Sequence, residues 1–401
     1  MEANRRGAGF KRTLGPILAG VLLAAGQGHP ASAVRAPAPQ PRCTGRWTVV
    51  PSVNVGSDSN VLTGAWAASS DDVWAVGYYG DQRFDASETL AQHWDGSRWS
   101  LVPTPVPGPG PGGNFFNGIS GTSGDDVWAV GDYATGLPLV LNLIEHWDGS
   151  EWSVVPSPNN GSGSNLLEAV SAVSPTDAWA VGFYVDGFGD HDLIEHWDGS
   201  AWTIVRAPQY QGEPVLYGVA FRSVDDGWAV GWKDGVDQEE KDTLVEHWDG
   251  VGWSASGAVD PGFQNNLFAV AAVSGSDVIA AGRASPSVGL IRTLVETWDG
   301  AAWVRAPSPN PGNAYNSLAG VWADASSGRA WAVGSFYDAP TSEYRTLTER
   351  WDGTRWRAVS APNPSDTSDE LLSVSAASMV DAWAVGRSID GVYRTLIEHF
   401  C

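Results

Sequence analysis

Three arginines stand at one phase of a recurring pattern: Arg292, Arg345 and Arg394 each lie six residues before an aromatic residue, Trp298, Trp351 and Phe400, with Tyr344 and Tyr393 beside two of them. Guanidinium groups grip carboxylates through paired, planar hydrogen bonds, so three of them on an acidic chain form a candidate anion clamp. Solvated strand ends are the plainer reading. A second set is Asn60, Asn114, Asn165, Asn265, Asn316 and Asp369, with Pro214 in the remaining place; each precedes a recurring Trp or Ile by fourteen residues, or by fifteen for Asn316. A ring of such oxygens could hold a cation, water or a sugar, whereas a single Asn or Asp at a strand start makes an Asx turn. Calcium is the one cofactor the set suits, and otherwise none is expected. Tyr79, Phe188, Trp232 and Tyr337 supply aromatic faces on which a sugar could stack.

Signatures of covalent or metal-assisted catalysis are absent: the chain has no HExxH, no G-x-S-x-G, no phosphate-binding glycine loop and no CxxC. Of its seven histidines, His93, His146, His196, His247 and His399 share one repeated position, with Thr297 and Arg350 in the two remaining copies. Such a position reads as a strand-surface element. The repeated Glu145, Glu195, Glu246, Glu296, Glu349 and Glu398, with Gln92 in the first copy, reads as structural too.

All these residues hang on a repeat, the first pattern to seek in a chain of this length. The element DVWAVG or a variant recurs around Trp74, Trp128, Trp179, Trp228, Ile279, Trp331 and Trp383, at spacings of 49 to 54 residues. A second element, of the type EHWDGSxW, follows each first one but is truncated in the seventh copy, at Ile397-Glu398-His399-Phe400-Cys401. Its missing half stands at Cys43-Thr44-Gly45-Arg46-Trp47-Thr48-Val49-Val50. Cys401 and Cys43 therefore occupy the same phase, one approached from each end. Units closed into a ring would bring them side by side, and in an oxidising compartment a disulfide is expected.

Each repeat parses into four short strands, in the second copy roughly 114–120, 126–133, 141–147 and 152–156, joined by Ser/Gly/Asp turns and a WDGS hairpin. Four strands per copy, seven copies and a shared last copy predict an all-β, seven-bladed propeller over 43–401, its ring closed by the N-terminal strand. Nineteen of the 22 Trp fall on three repeat positions and are assigned to packing between blades. Trp66, Trp232 and Trp322 stand outside; Trp66 and Trp322 could narrow the central channel, or simply pack. Segments between second and third strands vary most, from YGDQRFDASE to SIDGVY, as do those joining blades. Both loop sets open on one face, the expected binding surface.

Residues 1–33 read as a secretory leader: Arg5, Arg6, Lys11 and Arg12, an apolar stretch from Leu14 to Gly26, and Ala31-Ser32-Ala33 for cleavage. Residues 34–42 form a Pro/Ala-rich linker. No apolar run approaches the roughly 20 residues of a membrane helix. The net charge of -23 excludes nucleic acid and anionic membranes as partners.

The run DDVWAVGDY…LIEHWDGSEWSVVPSP resembles a kelch-type repeat, and the likeness extends over 43–401. It departs where the kelch Gly-Gly doublet is a single Gly such as Gly131 and where the last hairpin is about two residues shorter. The resemblance implies a propeller of the kelch or galactose-oxidase type and little about function, since propellers host unrelated activities. The expectation is a secreted or envelope-associated monomer, a non-catalytic module that binds a glycan or an extracellular protein through the variable-loop face. The alternatives are an extracellular hydrolase or lyase acting on an acidic glycan, with a loop acid such as Asp186 or Asp190, and a purely structural envelope protein.

Overall fold

A computed structural model of the chain describes residues 43–80, 87–108, 112–136, 139–235 and 240–401, all within one compact unit, Gln40–Cys401. The leader and linker over 1–33 and 34–42 lie outside the described residues, as does most of the loop YGDQRFDASE. Among the described residues there are 28 strands and no helix, so none is long and apolar enough to cross a membrane.

The second repeat shows how sequence becomes sheet. Its strands run Asn114–Ser123, Asp126–Ala134, Val140–Trp147 and Trp152–Val154, each antiparallel to the next. The inner strand outlasts its expected end because pairing survives a second register shift, between Gly121 and Ser123, and reaches Asp126. The outermost strand stops short of Pro156, which has no N–H to give the ladder. The same order recurs in every copy. Single parallel bridges, Lys241 to Gln264 and Tyr344 to Ser368, merge two pairs of neighbours, so the pairing forms five open sheets and no sheet closes on itself.

The constant Gly of the DVWAVG element follows from a bulge. In each inner strand the register slips by one residue opposite that Gly, between Leu62 and Gly64, Phe116 and Gly118, and so on to Leu371 and Ser373. The slip presses the inner-strand carbonyl onto the Gly: a Cβ on Gly131 would lie 2.0 Å from the Phe115 oxygen, and one on Gly386 2.0 Å from that of Glu370. No side chain fits there. The residue that the slip leaves unpaired is set apart from the ladder. These residues are Thr63, Asn117, Glu168, Tyr217, Phe268, Ala319 and Leu372.

Aromatic contacts tie each copy to its successor. Trp74 packs on Trp147 and Trp152 of the second copy, with centroids 4.9 and 5.4 Å away, and Trp128 on Trp197 and Trp202 of the third. Ile279 replaces Trp in the fifth copy and packs against Trp356. The relation carries through the chain ends: Trp383 of the last copy meets Trp94 and Trp99 of the first at 4.9 and 5.4 Å. Trp47–Val49 pairs antiparallel with the final strand, Val392–Phe400, and Trp47 fills the place of the missing Trp against Trp331, 5.2 Å away. Cys43 and Cys401 are both free thiols here, and the Cys401 thiol hydrogen-bonds to Cys43, one cause of its rise to about 12, after burial.

Candidate functional site

The three arginines expected to act together are each held by their own neighbours. Arg292 Nη1 donates to the Gly312 carbonyl at 2.8 Å, Arg345 pairs with Glu343, and Arg394 reaches the Ser57 and Asp58 carbonyls at 3.3 and 3.5 Å. Among the described residues no contact joins one to another. Arg292 and Arg394 pin segments between copies, Arg345 is tied within its own strand, Glu343–Trp351, and the three form no common clamp.

The asparagine set is spent as well. Asn316 Oδ1 accepts the Gly312 N–H at 2.7 Å while its Nδ2 donates back to the Gly312 carbonyl at 2.8 Å; Asn60 does the same with Val55, Asn114 with Gly108, Asn165 with Asn160 and Asn265 with Gly262. Asp369 accepts the Ser365 N–H at 3.1 Å, and burial raises its carboxyl to about 6. These side chains are buried clamps on the linking segments, and none lines the axial cavity.

Trp66 and Trp322 pack between copies against the clusters around Trp74 and Trp331 and do not enter that cavity either. Trp232 lies under the Lys241 ammonium, 3.7 Å from its centroid, so one face is already covered. Asp186 accepts the Phe188 N–H at 2.7 Å and lies 3.1 Å from His191, which stacks on Tyr184. The repeated histidines each pair with the Asp that opens DVW, as His146 does with Asp126 at 2.6 Å, and pack on the marker Trp.

The structure instead assembles a pocket of about 400 Å³ from the last three copies, lined by Phe268, Arg283, Tyr315, Tyr344, Glu370 and Arg387 among others. Tyr344 belongs to the expected set, while Tyr393 serves the pocket indirectly, its ring 4.7 Å from the Arg387 guanidinium. Arg387 is further held by Glu370, which accepts from its Nε and Nη2 at 2.9 and 2.6 Å. Arg283 is different. It lies over Phe268 and donates to the Tyr315 hydroxyl at 3.2 Å, and among the described residues it has no carboxylate partner. Arg283 and Arg387 follow directly after the constant Gly, where other copies carry Tyr78, Asp132, Phe183, Trp232 and Ser335. A variable residue inside an otherwise uniform strand was the available signal.

The pocket adjoins an axial cavity of about 290 Å³, with Phe268, Ala319 and Leu372 shared between them. All seven bulge residues line this cavity. One arc is polar, Thr63, Asn117 and Glu168, and the other is Tyr217, Phe268, Ala319 and Leu372. Among the described residues no group of three or more His, Cys, Asp or Glu is arranged to hold a metal.

Repeated four-stranded sheets packed side by side through their aromatic faces define a β-propeller. No sequence profile of a protein family matches the chain, and no curated protein matches it. Solved structures do: YCF48 bound to a D1 peptide, at 12% identity and a TM-score of 0.51 over 88% of this chain and 96% of that one. YCF48 from Cyanidioschyzon merolae is similar at 13% identity and a TM-score of 0.53, over 88% and 98%. At such identities the likeness establishes the fold.

Proposed function

We propose that this chain is an exported, monomeric, seven-bladed propeller that recognises a carboxylate-bearing segment of another protein at the pocket of its last three copies. Residues 1–33 act as leader, 34–42 as linker and 43–401 as the ring, which Trp47–Val49 closes by completing the last blade. Support for closure comes from the Trp47 to Phe400 register and from Trp383 packing on Trp94 as other copies pack on their successors.

The observation that carries the binding reading is Arg283: a guanidinium held between Phe268 and Tyr315, without an acidic partner, on a chain of net charge -23. A free carboxylate meeting it gains a charge-assisted bond beside apolar rings. One similar propeller has been solved with a peptide bound, and a peptide is the occupant proposed here. A glycan is the second reading, favoured by Phe188, 92% exposed at a hairpin tip.

The test is residues 34–401 on parallel arrays of acidic peptides and of polysaccharides, with and without calcium. Peptide binding that weakens about tenfold or more in Arg283→Ala supports the proposal. Glycan binding insensitive to Arg283 and reduced in Phe188→Ala transfers the function to carbohydrate. Silence on both arrays overturns recognition at this pocket.

A further inference from the structure

The bulge that recurs in every inner strand gives the axial cavity a ring whose two arcs differ in chemistry. On the polar arc, Glu168 stands in the wall and takes no hydrogen bond among the described residues. Asp132, only 8% exposed, receives a single bond, from Asn117 Nδ2 to its Oδ1 at 3.3 Å, which leaves its second oxygen unbonded. Asn117 is itself in the cavity wall and also donates to the Leu167 carbonyl at 3.0 Å. The two carboxyls are close enough to feel each other: burial raises Glu168 to about 7, with the Asp132 charge adding to it, and burial raises Asp132 to about 6. No Lys or Arg is among the groups that act on either one.

Carboxyls withdrawn from water, with one amide bond and no counter-charge, are costly while ionised, and either a proton or a cation that completes them relieves that cost. The opposite arc indicates what kind of cation. Tyr217 and Phe268 meet edge to face at 5.6 Å, and Leu372 and Ala319 continue the apolar wall. A hydrated divalent ion gains nothing from such a wall. An alkyl ammonium or guanidinium gains on both sides, its charge on the carboxyls and its stem and π-facing edge on the rings.

We infer that the axial cavity is a binding site for one organic cation, an alkylammonium or alkylguanidinium group, received between the Glu168 carboxyl and the Tyr217–Phe268 wall, with the Asp132 carboxyl behind Asn117 adding its charge from outside the wall. Because the cavity shares Phe268, Ala319 and Leu372 with the carboxylate pocket, a segment seated at Arg283 can send a basic side chain into it. That placement rests on the protein-recognition reading, whereas the cation site does not.

The probes are n-butylguanidinium and n-butylammonium, with n-butylurea as the neutral isostere, titrated into residues 34–401 and followed by NMR or calorimetry. The expected result is saturable binding of both cations, none of the urea, and a loss of about 10- to 100-fold in Glu168→Gln and in Asp132→Asn. Glu151→Gln, an exposed hairpin carboxylate, should bind as the parent does. A second arm titrates the same head groups within short capped peptides, Gly-Gly-Arg-Gly-Gly and Gly-Gly-Lys-Gly-Gly. Tighter binding of the peptides assigns the cation to a partner protein, and tighter binding of the free cations assigns it to a small amine; both support the site. Equal binding of the urea, indifference to both substitutions in folded protein, or a response to calcium alone would overturn it. No cation binding by the unsubstituted protein, with acidic-peptide binding at Arg283 intact, refutes this site and leaves the protein-recognition reading standing.

Discussion

A carboxyl group sealed from water must be paired or neutral, and this chain seals six at one repeated position. Glu145, Glu195, Glu246, Glu296, Glu349 and Glu398 are all fully buried, and both oxygens of Glu145, Glu349 and Glu398 lack a partner. Gln92 indicates what the position needs: its Oε1 accepts the Val53 N–H and its Nε2 donates to the Val53 carbonyl, both at 2.9 Å. A protonated carboxyl can do both and an ionised one cannot donate. Burial accordingly raises Glu145, Glu195 and Glu296 to about 8, and Glu246, Glu349 and Glu398 well above their ordinary value. A folded value above the unfolded 4.5 stabilises fully below 4.5, and that contribution is lost as pH rises through about 8. Thermal stability should therefore fall from pH 5 to pH 9, a trend calorimetry can read. Glu145→Gln should match the parent at pH 5 and exceed it by about 1 kcal/mol or more at pH 9; equal behaviour at both would show that the residue titrates freely. Below pH 4 the hairpin aspartates act in the opposite sense, since hydrogen bonds led by that from Ser150 hold Asp148 down to about 2 and equivalent bonds do the same for Asp198.

At the scale of the element, the bulge joins fold to site. It makes the Gly obligatory, and it turns one residue per copy into the axial cavity. Gly131→Ala places a methyl carbon 2.0 Å from the Phe115 oxygen, so the ladder must break or the bulge slide, at a cost of about 3 kcal/mol or more. Gly257→Ala, where a Cβ meets nothing within 4 Å, should cost less than about 0.5 kcal/mol. Urea denaturation of the two variants checks the contrast. A small effect at Gly131 would mean that the register slip is soft and that the cavity ring is not rigidly set. The WDG hairpin is a second self-contained element: Asp148 Oδ1 accepts from Ser150 N, Ser150 Oγ and Glu151 N at 2.8, 2.6 and 3.0 Å, which explains the constant Asp without invoking function.

For the whole molecule, the consequential contacts are those between the two ends of the chain. Trp47–Val49 is a three-residue strand that covers Trp331 and Phe400, and the Thr44 and Gly45 N–H groups donate to the Cys401 carbonyl at 2.7 and 2.6 Å. With Cys401 in contact with Cys43, oxidation needs little movement. We predict that protein purified from an oxidising compartment carries this bond, seen as a two-hydrogen mass difference on reduction. Reduction, or Cys401→Ser, should lower stability by about 2 to 5 kcal/mol. Thiols that stay free after mild oxidation would refute it.

Strand order, repeat length, the packing role of the Trp and the common phase of Cys43 and Cys401 were legible from the chain alone, because each is a local period or a repeated side chain. The residues that line the two cavities were legible only in part. The phase that drew Arg292, Arg345 and Arg394 together by spacing said nothing about the carbonyls and the carboxylate that hold each of them. The asparagines looked like a ring of oxygens, yet loops only three to six residues away consume their amides. Arg283, Arg387, Phe268 and Glu168 became visible with the tertiary structure, for a physical reason. A one-residue slip decides whether a side chain points into the sheet or into the cavity, and residues some fifty apart in sequence line one wall only when neighbouring sheets pack.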